Sequence, residues 1–256
     1  MRVCLLGSGS KGNAVYVESR ESRVLIDAGF SCRELQRRLS EIDACGERLD
    51  GLLVTHEHGD HCRGIGPLAR RFEVPVFLHP ETRKALPGLG RIDDLREFHA
   101  GDILELRDLR IETFPITHDA AAPVGYVIET PEGKIGIATD LGIATRLVTD
   151  RLRGCRALIL ESNHDEELLR DGPYPWHLKQ RIRGNHGHLS NSASAELLGD
   201  VLWEGLEAVF LAHLSEVNNQ PELAAACAGE TLGRQNLCCP EVIVGTQDRA
   251  SVCFTL

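Results

Sequence analysis

Along the first half of the chain, apolar positions come in short runs rich in Val, Ile and Leu, broken by Gly and Ser. This pattern predicts strands at residues 2–6, 14–18 and 23–26. Between the first two lies Gly7-Ser8-Gly9-Ser10-Lys11-Gly12-Asn13, which looks like a phosphate loop. It lacks the GK[ST] ending and leads into a strand, so it reads as a tight hairpin. The period then changes. Leu35, Leu39 and Ile42 share one helical face behind Ser31 and Glu34, an S-x-x-E capping box. A strand ending at Val54, a strand over 74–78 and a short helix over 80–86 with Pro80 in its first turn follow. Paired runs at 103–106 and 109–114, and at 124–129 and 134–139, predict two hairpins. Helices over 144–152, 192–203 and 221–232 then alternate with strands at 157–160, 208–212, 242–245 and 250–256. No linker interrupts this order. It predicts one α+β domain spanning residues 1–256, with two sheets face to face and helices outside.

Composition changes this picture little. Hydrophobic residues make up 42% and charged residues 26%, the balance of an ordinary soluble protein. The apolar run Val3 to Leu6 is too short for a signal peptide or a membrane span, so a cytoplasmic protein with no membrane partner is expected. Nine cysteines without CxxC spacing argue against a disulfide scaffold and a zinc knuckle. Cys4, Cys155 and Cys253 sit in apolar runs and read as small buried hydrophobes, and Cys238-Cys239 is assigned nothing. The net charge of −10 does matter. Such a field does not attract phosphodiesters, so any nucleic-acid role needs a local basic surface or bound cations.

The chemistry sits where strands end. Thr55-His56-Glu57-His58-Gly59-Asp60-His61 follows the strand ending at Val54, and His118, Asp140, Glu161 and His213 each follow an apolar run. One such ending reads as a satisfied core histidine, but five predict strand ends converging on one polar site. His56, His58, Asp60, His61, His118, Asp140 and His213 are seven potential ligands, more than one tetrahedral ion uses. Imidazoles and carboxylates suit zinc, with manganese or iron as alternatives. Two ions roughly 3.5–4 Å apart would employ all seven and suit in-line displacement at phosphorus.

His56-x-His58-x-Asp60-His61 resembles the HxHxDH signature of the metallo-β-lactamase superfamily. The resemblance implies a four-layer αββα sandwich with a dinuclear site at one edge. It implies His56, His58 and His118 on one metal, Asp60, His61 and His213 on the other, Asp140 bridging them and Asp27 bracing the site. Glu161-Ser162-Asn163-His164-Asp165, Gly187-His188-Leu189-Ser190-Asn191 and His213-Leu214-Ser215-Glu216-Val217-Asn218-Asn219 resemble the YycJ (WalJ) branch. That branch implies a metal-dependent 5′–3′ DNA exonuclease, DNA being preferred to RNA, with a metal-bridging hydroxide as nucleophile and Asp60 in the catalytic set. A small-molecule metallohydrolase acting on an ester, thioester, lactone or cyclic phosphodiester is the alternative. An inactive regulatory metal protein is a third reading, against which unused buried ligands would be costly.

An alkoxide leaving group needs a proton. Glu161 and His188 resemble the acid couple of tRNA-processing relatives, with His164 next in line, whereas the plain alternative makes His188 only the polar entry to a helix. Residues 177–188 are the most basic stretch, so Lys179, Arg181 and Arg183 are candidates for a phosphate track, or else a solvated helix face. Ser10, Asn13, Asn163, Ser190, Ser215 and Asn218 complete the candidate substrate contacts. Tyr174 and Trp176 either stack on a base or anchor a loop.

Overall fold

The computed structural model describes residues 1–86 and 88–256. The first sheet begins with β1 (Arg2–Gly7), β2 (Ala14–Glu18) and β3 (Arg23–Ile26) and continues through α1 (Cys32–Glu41) to β4 (Gly51–Leu53). Two short helices, α2 (Gly59–Cys62) and α3 (Ile65–Phe72), lead to β5 (Val76–Leu78), α4 (Pro80–Ala85) and β6 (Leu95–Glu97). The second sheet follows with β7 (Ile103–Leu106), β8 (Leu109–Pro115), β9 (Val124–Thr130) and β10 (Gly133–Ala138). Then come α5 (Arg146–Leu152), β11 (Ala157–Glu161), α6 (Glu166–Asp171), α7 (Trp176–Arg183), α8 (Asn191–Val201) and β12 (Ala208–Ala212). Last are α9 (Pro221–Gly233), β13 (Glu241–Val244) and β14 (Phe254–Thr255), which returns to the first sheet.

The strand orders are β14-β1-β2-β3-β4-β5-β6 and β13-β12-β11-β10-β9-β8-β7. Alternation along each strand sends one set of side chains between the sheets, among them Val3, Leu5, Ile26, Ile111, Tyr126, Ile137, Ile159 and Phe210. The opposite faces bury Leu25, Leu52 and Val76 beneath α1 and α3, and Leu158, Leu160 and Val209 beneath α5, α8 and α9. Three apolar layers therefore hold four structural layers, the αββα sandwich that the resemblance implied. No helix among the described residues is long and apolar enough to cross a membrane.

The local readings meet the structure at most elements. Ser31 Oγ accepts from Glu34 N at 3.2 Å, but Glu34 turns to Arg37 and Arg38 and does not complete a reciprocal capping box. The expected strand over 250–256 shortens to Phe254–Thr255 because Ser251 Oγ, and not a carbonyl, takes the Leu5 N–H. The helix α3 was not expected. Its Gly66-Pro67 pair reads as a breaker, yet Pro67 sits in the first turn, where its missing N–H leaves no bond unmade. α2, β6 and α6 were also not expected, and α7 only as the solvated-helix alternative for residues 177–188.

Candidate metal centre

In both sheets the strands that run parallel (β3 and β4, and β10, β11 and β12) end at the same edge of the sandwich. Asp27 follows β3, Asp140 follows β10, Glu161 closes β11 and His213 follows β12. Asp27, Asp140 and His213 have φ of 62°, 57° and 58°. A left-handed backbone is costly for such residues and lets a strand end turn its side chain back toward the edge. Close backbone approach is needed here too. A Cβ on Gly29 would lie 1.7 Å from Asp60 O, and Asn13 N, next to it, donates to the same carbonyl.

His56, His58 and His118 bring one ligand atom each within 4.8 Å of one another, and so do Asp60, His61 and His213. Asp140 joins both groups, with Oδ2 3.1 Å from His61 Nε2, and Oδ1 3.7 Å from His118 Nε2 and 3.5 Å from His213 Nε2. The structure thus gathers all seven candidate ligands.

Their outer nitrogens are already committed. His61 Nδ1 donates to Asp27 Oδ2 at 2.7 Å, and His118 Nδ1 to Gly187 O at 3.0 Å. Thr55 Oγ1 gives its own proton to Asp27 Oδ2 and so accepts from His56 Nδ1 at 3.0 Å. His213 Nδ1 donates to Glu161 Oε1 at 3.2 Å. In His56 and His118 this leaves Nε2 the unprotonated nitrogen facing the cluster, the tautomer a metal ligand needs. His61 Nε2 meets the Asn13 amide at 3.0 Å, and His213 Nε2 faces Asp60 Oδ2 at 3.4 Å.

Two observations test the fit of cations. His56 Nε2 and Asp140 Oδ2 are buried without a hydrogen bond, the short distance from Asp140 to His61 lacking hydrogen-bond geometry. His118 Nε2 and His58 Nδ1 face each other at 3.3 Å, near enough for one cation to take both nitrogens. Electrostatics agree. Burial, with His61 beside it, holds the His56 imidazole well below its usual range and therefore neutral. Burial opposes charge on His213, yet Asp140, Asp60 and Glu161 raise it to about 10, so this side of the cluster attracts positive charge. The donor set fits two divalent ions.

A cavity of about 250 Å³ opens over the cluster, lined among others by His58, Asp60, His118, Asp140, His188 and His213. His188 Nδ1 lies 2.7 Å from Glu161 Oε1, while Leu141 N and Leu189 N donate to Glu161 Oε2. Burial disfavours the Glu161 carboxylate, but the imidazoles of His188 and His213 hold it down at about 2. An ionised carboxylate only accepts, so His188 Nδ1 carries a proton and Nε2 faces the cavity. His164 is different. It lies off the cavity wall, and burial lowers it to about 4, leaving it neutral and a poor acid near pH 7.

Of the other candidate contacts, Ser10, Asn163, Arg181 and Ser215 lie on the cavity wall. Asn13 does not; its amide ties Gly9 to Asp60 and His61. Lys179 is buried and its ammonium donates to Arg170 O and Gly172 O, closing the end of α6. Ser190 caps α8 and donates to Glu166, and Asn218 is buried against Ser215. Arg183 is exposed away from the wall. The division follows from helix geometry. Leu178, Arg181 and Ile182 form one face of α7 over the cavity, and Lys179 is turned about 100° away.

Tyr174 lines the cavity while Trp176 is 65% exposed outside it. Sequence reading missed Thr55, which joins Asp27 to His56, and Asp119, which pairs with Arg181 at 2.7 Å on the cavity rim. The i, i+4 spacing of Leu178 and Ile182 was the one available signal for the α7 wall.

Residues 22–213 match the family model described as the beta-lactamase superfamily domain. The chain is 37% identical over 231 residues to the exodeoxyribonuclease YycJ of Bacillus anthracis, covering 89% of this chain and 88% of that one. It is 37% identical over 225 residues to the exodeoxyribonuclease WalJ of Streptococcus pneumoniae, covering 86% and 84%. The metallo-beta-lactamase fold protein YhfI of Bacillus subtilis superposes over 99% of this chain and 98% of its own, with a TM-score of 0.75 at 16% identity. The HxHxDH cluster, the sandwich that carries it and this kinship agree: the chain belongs to the beta-lactamase superfamily and, within it, to the branch of YycJ and WalJ.

Proposed function

We propose that the protein is a dinuclear metal-dependent phosphodiesterase that removes nucleotides from the 5′ end of DNA in the cytoplasm. The observation that carries this reading is the Glu161–His188 couple on the cavity wall beside seven converging ligands. Esters with good leaving groups need no such acid; a nucleoside alkoxide does. The kinship to two exodeoxyribonucleases supports DNA as the substrate.

His56, His58 and His118 would hold one ion and Asp60, His61 and His213 the other, with the Asp140 carboxylate within reach of both groups. Zinc suits this donor set best, manganese and iron being the alternatives. When bound, such ions supply an activated water and neutralise charge at the phosphoryl group. The chain's own residues supply orientation and protons. Asp27, Thr55, Glu161 and Gly187 O fix the rings of His61, His56, His213 and His118 so that each turns its Nε2 edge toward the cluster. Asp60, the most open carboxylate of the set, orients the attacking water. His188 is placed to deliver a proton to the departing oxygen, and Glu161 orients its ring through Nδ1 at 2.7 Å. Arg181, with Ser10, Asn163 and Ser215, receives the phosphate on a surface whose overall charge of −10 is otherwise repulsive.

The cavity volume gives the small-molecule reading its one specific support, since about 250 Å³ suits a small ester as well as one nucleotide. End-labelled single- and double-stranded DNA, RNA and bis(p-nitrophenyl) phosphate, each with zinc and then manganese, separate the two. Shortening of DNA from its 5′ end is expected. Turnover of the small diester with every nucleic acid left intact would remove the nuclease reading.

A further inference from the structure

Away from the metal centre, the two ends of the chain meet in the first sheet. β1 and β14 pair antiparallel, Arg2 opposite Thr255 and Val3 opposite Phe254. One residue further in the same register, Cys4 stands opposite Cys253. Their faces agree as well. Val3 and Phe254 turn to the core between the sheets, whereas Cys4 and Cys253 belong to the outer core beneath α1. The C-terminal segment is also clamped over this strand by Ser251, whose carbonyl accepts from Cys4 Sγ at 3.2 Å and whose N–H donates to Leu5 O at 2.8 Å. Directly opposite side chains have Cβ atoms about 4.5–5.5 Å apart. A disulfide needs about 3.5–4.5 Å, a small adjustment for a two-residue edge strand.

The two thiols differ in character. Cys4 is fully buried, and its contact with Cys253, together with burial, pushes its thiol far up. Cys253 is half-buried and stays within reach of solvent. Contact with Cys4 lowers its thiol to about 7, burial opposing and the Arg2 guanidinium helping. A reachable thiolate beside a buried resolving thiol is the arrangement found in redox-reactive pairs.

We propose that Cys4 and Cys253 form a peroxide-reactive pair that closes to an intramolecular disulfide between β1 and the C-terminal strand. Hydrogen peroxide is the oxidant. The Cys253 thiolate attacks one peroxide oxygen, the O–O bond breaks and hydroxide leaves, giving a sulfenic acid on Cys253. The Cys4 sulfur then attacks the Cys253 sulfur, the S–O bond breaks and a second hydroxide leaves. One hydroxide takes the Cys4 proton and the other a proton from solvent, so two thiol sulfurs lose two electrons and the peroxide becomes two waters. The bond staples the short edge strand to β1, the strand that runs on to Ser8, whose Oγ accepts from His213 N at 2.6 Å.

The test uses the full chain loaded with zinc, which is redox-inert, treated with a few equivalents of hydrogen peroxide and quenched with an alkylating agent. Free thiols are expected to fall from nine to seven. Non-reduced peptide mapping should show Cys4 linked to Cys253, reversed by dithiothreitol. The unfolding midpoint of the oxidised protein should rise by about 5–10 °C. Cys253→Ser should keep all its thiols at the same dose, and Cys4→Ser should stop at a sulfenic acid on Cys253 that dimedone traps. If Cys4→Ser does not fold, Cys253→Ser, made at a half-buried position, carries the test. Sulfinic acid on Cys253 with Cys4 still free, or first oxidation at Cys238-Cys239, would overturn the proposal.

Discussion

Glu161 joins His188 to the metal cluster: one carboxylate oxygen accepts from His188 Nδ1 at 2.7 Å and from His213 Nδ1 at 3.2 Å. The proposed acid and a proposed ligand are therefore oriented by the same buried group. If His188 protonates the departing oxygen, His188→Ala should slow DNA cleavage by about 10²–10⁴-fold. A p-nitrophenyl phosphodiester, whose leaving group departs as a stable anion, should be slowed far less. Metal content should not change. Equal losses on both substrates with metals bound would make His188 a positioning residue.

Asp27→Asn tests the bracing of His61. The carboxylate accepts from His61 Nδ1 and from Thr55 N and Oγ1, and an amide presents a donor where two of these bonds need an acceptor. Affinity for one ion should fall by about 10–100-fold, the usual cost of removing such a partner. Equilibrium dialysis against a metal buffer measures this. Unchanged affinity at both sites would mean that His61 is oriented by packing alone.

Metal removal should destabilise the fold. At a free ion concentration about 1,000 times the dissociation constant, binding contributes about 4 kcal/mol per site. Chelation should then lower the unfolding midpoint by about 10 °C or more. Metal analysis should find two ions per chain, and His213→Ala should reduce the count. A chelator-treated protein with the same midpoint and one ion per chain beforehand would remove the dinuclear reading.

Arg181 and Lys179 lie two residues apart on α7 and should behave in opposite ways. Arg181→Ala should weaken DNA binding and reduce the salt dependence of log K by about 0.7–0.9, the loss of one phosphate contact. Lys179→Met should leave that slope unchanged and cost about 1–3 kcal/mol of stability, because Arg170 O and Gly172 O lose their buried donor. Binding isotherms at several salt concentrations and urea melts of both variants decide the matter. A changed slope for Lys179→Met would return it to the binding surface.

Each strand that delivers a site residue could be read from local pattern, because burial on both faces forces a short Val/Ile/Leu run that ends abruptly where the chain meets solvent. The order of the clusters at the ends of those runs likewise stood in plain sequence, and with it the seven candidate ligands that the structure gathers. That information is one-dimensional and survives without knowledge of packing. The details that tertiary structure decided are of another kind. Thr55 became the link between Asp27 and His56 because β3 and β4 are parallel neighbours, a pairing across 28 residues. Lys179 turned from a candidate phosphate ligand into a cap for α6, since one step along a helix rotates a side chain about 100° and the burial of its neighbours sets which face is free. His188 stands on the cavity wall and His164 does not. Both are histidines in polar strings, and only the meeting of β11 with the N-terminus of α8 determines which of them Glu161 holds toward the cavity.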